Sequence, residues 1–155
     1  MGSNDPPVLR RALQTTIADN VRLVERAWVD SINERSRESF LDFHAESTVL
    51  YDPTLGSLKG RQALDKMWTG LFSMFPDYQI RRVRSFGQDD WVCLEVEESG
   101  TMKGPIHAGP KEIAPTGRSF KIPSSIICRV DEGRIGEVRI YYDVFGLMDQ
   151  LGLGP

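Results

Sequence analysis

The sequence predicts an α+β domain, with helices in its first half and an antiparallel sheet in its second. Apolar residues recur at helical spacing as far as residue 75 and alternate at spacing two from residue 78 onward. The chain has 155 residues, of which 40% are hydrophobic and 26% charged, enough to build one core without disulfide staples.

The elements follow in order. Leu13, Ile17, Val21, Val24 and Trp28 lie at spacings of four, four, three and four, and Ile32 continues the stripe. That is one face of a long first helix, opened by Pro6 and Pro7 and closed near Asn33. Ser36 is placed to cap a short second helix carrying Phe40, Leu41 and Phe43 inward. Residues 48–51 read as a short strand, stopped by Asp52-Pro53 and a Gly-Ser loop. A third helix follows Gly60, with Leu64, Met67, Trp68, Leu71, Phe72 and Phe75 on one side. Pro76 ends it, because proline pushes the preceding residue out of helical geometry.

Strands are expected over 78–86 and 91–102, joined by the turn at 87–90, and a loop over 103–117. Residues 118–130 form a long strand with Phe120, Ile122, Ile126, Cys128 and Val130 on one face. Asp131-Glu132-Gly133 makes a hairpin turn into a last strand over 134–142, and 144–151 a closing helical turn. Residues 1–18 read as a partly helical N-terminal extension and 19–155 as a single domain.

Composition excludes several function classes. The net charge of -3 offers no basic excess to neutralise phosphates, so no nucleic-acid partner is expected. No apolar run reaches the roughly 18 residues of a membrane span. The start, MGSNDPPVLRR, has no apolar region of the kind a secretory signal needs. Cys93 and Cys128 lie in apolar runs where cysteine acts as a small hydrophobe, and a cytoplasmic location is expected. Two histidines and two cysteines without ligand spacing imply no metal site, and no cofactor is expected.

Several elements, in order, are shared with one family. They are the helix start at Gly60, the helix end Phe75-Pro76-Asp77, Gly100-Thr101 with Gly104, and Pro115-Thr116-Gly117-Arg118. Asp131-Glu132-Gly133-Arg134-Ile135, Tyr142-Asp143 and Gly146-Leu147-Met148-Asp149-Gln150-Leu151-Gly152 complete the set. Over roughly residues 20–152 the chain resembles the SnoaL-like polyketide cyclases of the NTF2-like superfamily, and more distantly ketosteroid isomerase. The resemblance implies a cone: a curved antiparallel sheet with three N-terminal helices enclosing a pocket. It also implies a homodimer or homotetramer, and a cofactor-independent cyclase or isomerase of secondary metabolism. The substrate would be a small hydrophobic, carbonyl-containing, polyketide-like molecule closed by intramolecular aldol condensation. The fold alone does not fix the reaction.

Asp143 matches the acid/base aspartate of these cyclases. The chemistry needs a carboxylate that takes a proton from carbon beside a carbonyl, and burial beside Tyr142 and Phe145 would suit it to that task. The structural alternative is that Asp143 caps the short helix after it. Strict alternation of Val138, Ile140 and Tyr142 also turns Asp143 to the other face. Asp52 falls on the base of ketosteroid isomerases; its structural alternative is a turn former before Pro53. The oxyanion tyrosine of those isomerases aligns with Trp28 and their protonated aspartic acid near Ile126, so their donors are missing here. Epoxide opening by an Arg and two Asp is disfavoured, since 120–130 contains no Asp. Trp28, Tyr51, Trp68, Phe72, Ile126, Tyr142 and His107 are the candidate substrate-binding residues. Met102 stands where the family often has His, which weakens any catalytic role for His107. His44 reads as a cation at a helix C-terminus, and Glu95 and Glu97 as the outer residues of a half-exposed strand. A non-catalytic binding protein on the same fold is the alternative to an enzyme.

Overall fold

The computed structural model describes residues 6–154. Residues 1–5 of the expected extension, and the side chain of Leu13 in the helical stripe, lie outside the described residues. Helix α1 spans Pro7–Glu25 and opens, as expected, on Pro6 and Pro7. It runs without a break across the expected boundary after residue 18. It continues as a π-helical turn, Arg26–Asp30, into α2, Ser31–Asn33. Helix α3 is Arg37–Asp42, with Phe40 fully buried; Ser36 precedes it but makes no side-chain cap. Helix α4 is Arg61–Met74 and α5 is Val144–Gln150.

The strands are β1 His44–Asp52, β2 Gly56–Lys59, β3 Gln79–Gln88, β4 Trp91–Thr101, β5 Ile106–Ala108, β6 Lys111–Ile113, β7 Ser119–Asp131 and β8 Arg134–Tyr142. Six of them form one sheet in the order β2-β1-β8-β7-β4-β3, and β5 and β6 pair as a separate hairpin. The sheet is not wholly antiparallel: β1 and β8 run parallel, while the other junctions are antiparallel. Strand β1 starts four residues earlier than expected, β2 lies within the expected Gly-Ser loop, and the β5–β6 hairpin lies within the expected loop 103–117.

The period-two pattern sorts the two faces. On β7, Phe120, Ile122, Ser124, Ile126, Cys128 and Val130 are buried against the helices, and on β4 Val92, Leu94 and Val96 are. Strand β4 thereby presents a continuous apolar stripe to the helical layer, and β7 one broken only by Ser124. The helices fill the concave side with aromatic rings: Phe40 stands edge-on to Trp28 at 5.1 Å, lies 5.1 Å from Trp68, and Trp68 lies 4.8 Å from Phe72. The outer face carries charge instead, with Arg84 and Glu95 paired at 2.7 Å and Glu97 between Arg81 and Lys121.

Gly60 adopts φ +84, a left-handed conformation open to glycine, and its N–H donates to the Thr48 carbonyl at 2.7 Å. This ties the start of α4 to β1. Cys93 and Cys128 are both free thiols, and burial pushes the Cys128 thiol far up. No helix among the described residues is long and apolar enough to cross a membrane.

Candidate active site

Toward one end of the concave face, polar residues join the apolar stripes. Thr48 and Leu50 lead to Asp52 on β1; Val138 and Ile140 lead to Tyr142 on β8; Ile126 leads back to Ser124 on β7; Val92, Leu94 and Val96 lead to Glu98 on β4. These strands are neighbours in the sheet, in that order. Ser124 is directly opposite Tyr142 and two residues from the level of Glu98. Alternation and register therefore place four polar side chains on one face, along a staggered line across four strands.

Asp52 is 7% exposed. Its Oδ1 accepts the N–H of Thr54 at 2.7 Å, the hydroxyl of Thr54 at 2.6 Å and the N–H of Leu55 at 3.1 Å, which closes an Asx turn after β1. The Tyr142 hydroxyl donates to the same oxygen at 3.3 Å and lies 3.1 Å from Thr54 Oγ1. Oδ2 accepts no hydrogen bond from the described residues. Thr54 is exposed and Tyr142 half-buried, so the cluster borders solvent on this side.

Glu98 is the second carboxyl. The Tyr78 hydroxyl donates to its Oε1, and Ser124 also bonds to it. Burial pushes the Glu98 carboxyl up; the bonds from Tyr78 and Ser124 oppose this, and the charge of Asp52 adds to it. Burial likewise raises the Tyr78 and Tyr142 phenols, and the negative charge of Glu98 and Asp52 raises both further. The site thus holds two carboxyl groups close enough to sense each other, with two phenols that stay protonated. It can offer a carboxylate oxygen to a proton, and the Tyr142 O–H, held to Asp52 only at 3.3 Å, to a developing oxyanion.

Asp143 is not part of this cluster. It is exposed, and its Oδ1 accepts the Gly146 N–H at 2.9 Å as the N-cap of α5. The expected burial beside Tyr142 and Phe145 does not occur, because Phe145 is itself 65% exposed and Asp143 leaves the strand on the outer side. Tyr51 also faces outward, 5.9 Å from the Tyr141 ring and under the Arg139 guanidinium. His107 is exposed on the β5–β6 hairpin, 3.8 Å from Glu112. Trp28, Trp68 and Ile126 are buried in the core, and Phe72 packs edge-on against Tyr78, next to the cluster. Among the expected residues, Asp52 and Tyr142 are brought together, and Phe72 lies against Tyr78.

A model of the SnoaL-like polyketide cyclase family matches residues 22–151. The chain belongs to that family. This SnoaL-like protein shares its fold with a protein of Jannaschia sp. CCS1 described as a SnoaL-like polyketide cyclase, at 17% identity and a TM-score of 0.77, over 99% of this chain and 100% of the other. It is similar also to a protein of ketosteroid isomerase-like fold from Catenulispora acidiphila, at 19% identity and a TM-score of 0.69, over 84% and 92%. A third likeness is to an LEH-like epoxide hydrolase of M. tuberculosis, at 15% identity and a TM-score of 0.69, over 88% and 86%. At these identities the likenesses establish the fold alone. No curated protein matches the sequence.

Glu98, Ser124, Tyr78 and Thr54 were not among the expected site residues. The signal for Glu98 was present: it extends the inward run Val92-Leu94-Val96 by one step, so alternation turns it inward while Glu95 and Glu97 face out. Ser124 interrupts the apolar face of β7 in the same way. His44 differs from its expected role as a helix-end cation. It is fully buried at the start of β1, and burial pushes its imidazole down to about 4, so it is neutral.

Proposed function

We propose that this SnoaL-like protein is a small-molecule enzyme that moves a proton at carbon next to a carbonyl, as a polyketide cyclase does, with Asp52 as the acid/base. The observation that carries this reading is the buried carboxylate of Asp52. Its Oδ1 is occupied by the turn and by Tyr142, and its Oδ2 is left free beside the raised carboxyl of Glu98. Asp52 Oδ2 takes the proton from carbon, and the enolate oxygen is met by the Tyr142 hydroxyl. The enolate carbon then attacks a second carbonyl of the same molecule, and Asp52 returns its proton to the resulting alkoxide. Holding both ends of one flexible molecule lowers such a barrier by several kcal/mol, up to about 7–11. Asp143 has only its helix-capping role in this scheme.

The same reading makes the substrate a small, largely apolar carbonyl compound of secondary metabolism and the protein a cytoplasmic homodimer or homotetramer. Exposed Trp91 and Tyr141 on the outer face of the sheet support self-association. Light scattering at high concentration checks it, and a strict monomer contradicts it.

The test of the chemistry does not need the natural substrate. An aromatic β-ketoester is incubated with the protein in deuterium oxide, and exchange at the carbon between the carbonyls is followed by proton NMR. Wild type and Asp143→Asn accelerate exchange; Asp52→Asn loses at least a hundredfold of that acceleration. Equal rates in wild type and Asp52→Asn refute the assignment. A second reading, non-catalytic binding, is favoured by the use of Asp52 Oδ1 in the turn. Saturable binding of the ketoester with no exchange above buffer selects it.

A further inference from the structure

At the other end of β1 from Asp52, three fully or nearly fully buried polar atoms have no hydrogen-bond partner among the described residues: Trp28 Nε1, His44 Nε2 and Thr48 Oγ1. Their residues are 3%, 0% and 0% exposed. Buried polar groups in folded proteins are nearly always paired, and three orphans in one region point to a shared partner.

Two irregular elements bring them together. Trp28 sits in the π-helical turn Arg26–Asp30, a wide turn of the kind often found at functional positions. Its ring stands edge-on to His44 at 5.7 Å. On the sheet side, β1 advances five residues from His44 to Val49 while its partner β8 advances only two, from Ile135 to Glu137. The surplus residues, Ala45, Glu46 and Ser47, bulge outward. Thr48 is thereby drawn back to within one or two rungs of His44, on the same inner face.

The hydrogen-bonding characters are complementary. His44 Nδ1 lies 2.7 Å from the Phe40 carbonyl, which only accepts, so Nδ1 carries the proton. In a neutral ring that leaves Nε2 as a bare acceptor. The Trp28 indole can only donate, and the Thr48 hydroxyl can do either. One water molecule that accepts from Trp28, donates to His44 and bonds to Thr48 satisfies all three. Three hydrogen bonds is the usual complement of a buried water.

We infer that Trp28 Nε1, His44 Nε2 and Thr48 Oγ1 form a binding site for a single internal water that pins the π-helical turn to the β1 bulge. The site is separate from the Asp52 cluster, and it does not depend on the proposed reaction. Its role is positioning: it ties the π-helical turn that follows the first helix to the start of β1.

The test uses the whole protein. A crystal structure at about 1.5 Å is expected to show one solvent peak within hydrogen-bond distance of all three atoms. In solution, the Trp28 indole N–H is expected to show a cross-relaxation peak with a long-lived water. His44 nitrogen shifts should report a protonated Nδ1 and a bare Nε2. Thr48→Val, nearly isosteric, should weaken the water peak and speed exchange of the Trp28 N–H at least tenfold. A dry crystal site with the Trp28 N–H over a neighbouring ring overturns the inference. So does the opposite His44 tautomer, or a Thr48→Val variant whose Trp28 exchange is unchanged.

Discussion

Acidification should unfold this protein mainly through one buried ring. His44 is fully buried, its Nδ1 is committed to the Phe40 carbonyl, and it is ringed by Trp28 and Phe40, with the positive charge of Arg61 adding to the effect of burial. Burial holds the folded imidazole down to about 4, whereas the unfolded chain takes up a proton at about 6.5. Above pH 6.5 both states are neutral at this position and it contributes nothing to the pH dependence. As pH falls below 6.5 the unfolded state binds a proton that the folded state refuses, so stability declines until the folded ring also titrates near 4. The full loss is about 3 kcal/mol, and about 2 kcal/mol of it is spent by pH 5. The assay is urea denaturation at pH 8 and pH 5 on wild type and on His44→Phe, which keeps an aromatic ring in the site. His107, the other histidine, is exposed and unchanged in both proteins. The variant starts about 1 kcal/mol lower at pH 8, because the Phe40 carbonyl loses its donor. It should then lose about 2 kcal/mol less than wild type on going to pH 5. An identical decline in both proteins would refute the neutral, buried imidazole.

Other substitutions probe the remaining assignments. Glu98→Gln copies the protonated form of Glu98. Since the folded carboxyl is raised, wild type keeps that contribution below pH 4.5 and loses it as pH climbs through the folded value, so urea melts should show the variant gaining on wild type between pH 5 and pH 8. Asp143→Ala removes the α5 cap; about 1 kcal/mol is lost, seen as a fall of about 2–4 °C in Tm, with ketoester exchange unaffected. Gly104→Ala places a Cβ 2.0 Å from the Ser73 carbonyl oxygen, where the chain crosses the end of α4. That backbone cannot yield cheaply, and calorimetry should show a loss of more than about 3 kcal/mol; a near-neutral variant would mean the crossing is loose.

The strong local periodicities were legible in the sequence. Ile17 through Ile32 and Leu64 through Phe75 mark the long helices, and the alternating runs mark β4, β7 and β8. The π-helical turn was not, because one extra residue in a turn is absorbed by an apolar stripe that still reads as helical. Strand β2 and the strands of the β5–β6 hairpin have only three or four residues each, too few for a period to register. The parallel pairing of β1 with β8 joins segments far apart in sequence, and no local pattern encodes it. For the site, Asp52 and Tyr142 were readable as the last inward members of their strands. Asp143 drew attention through family likeness, while its neighbours' alternation already turned it outward. Glu98 went unread because three acidic residues within four positions, Glu95, Glu97 and Glu98, look like a solvated surface until each is assigned to a face.

The parallel β1–β8 junction sets an order of assembly. Asp52 and Tyr142 meet across 90 residues of chain. Strand β8 lies between β1 and β7 in the sheet, so β1–β2 and β7–β4–β3 are two separate ribbons until it arrives. During synthesis the early strand must wait, with an unpaired edge, for nearly the whole polypeptide to leave the ribosome. Closing so long a loop costs entropy before any contact rewards it, which marks this as a slow-folding topology. The Asp52–Tyr142 contact is thus made in the final docking step, and a partly made molecule has the aspartate but no tyrosine to meet it.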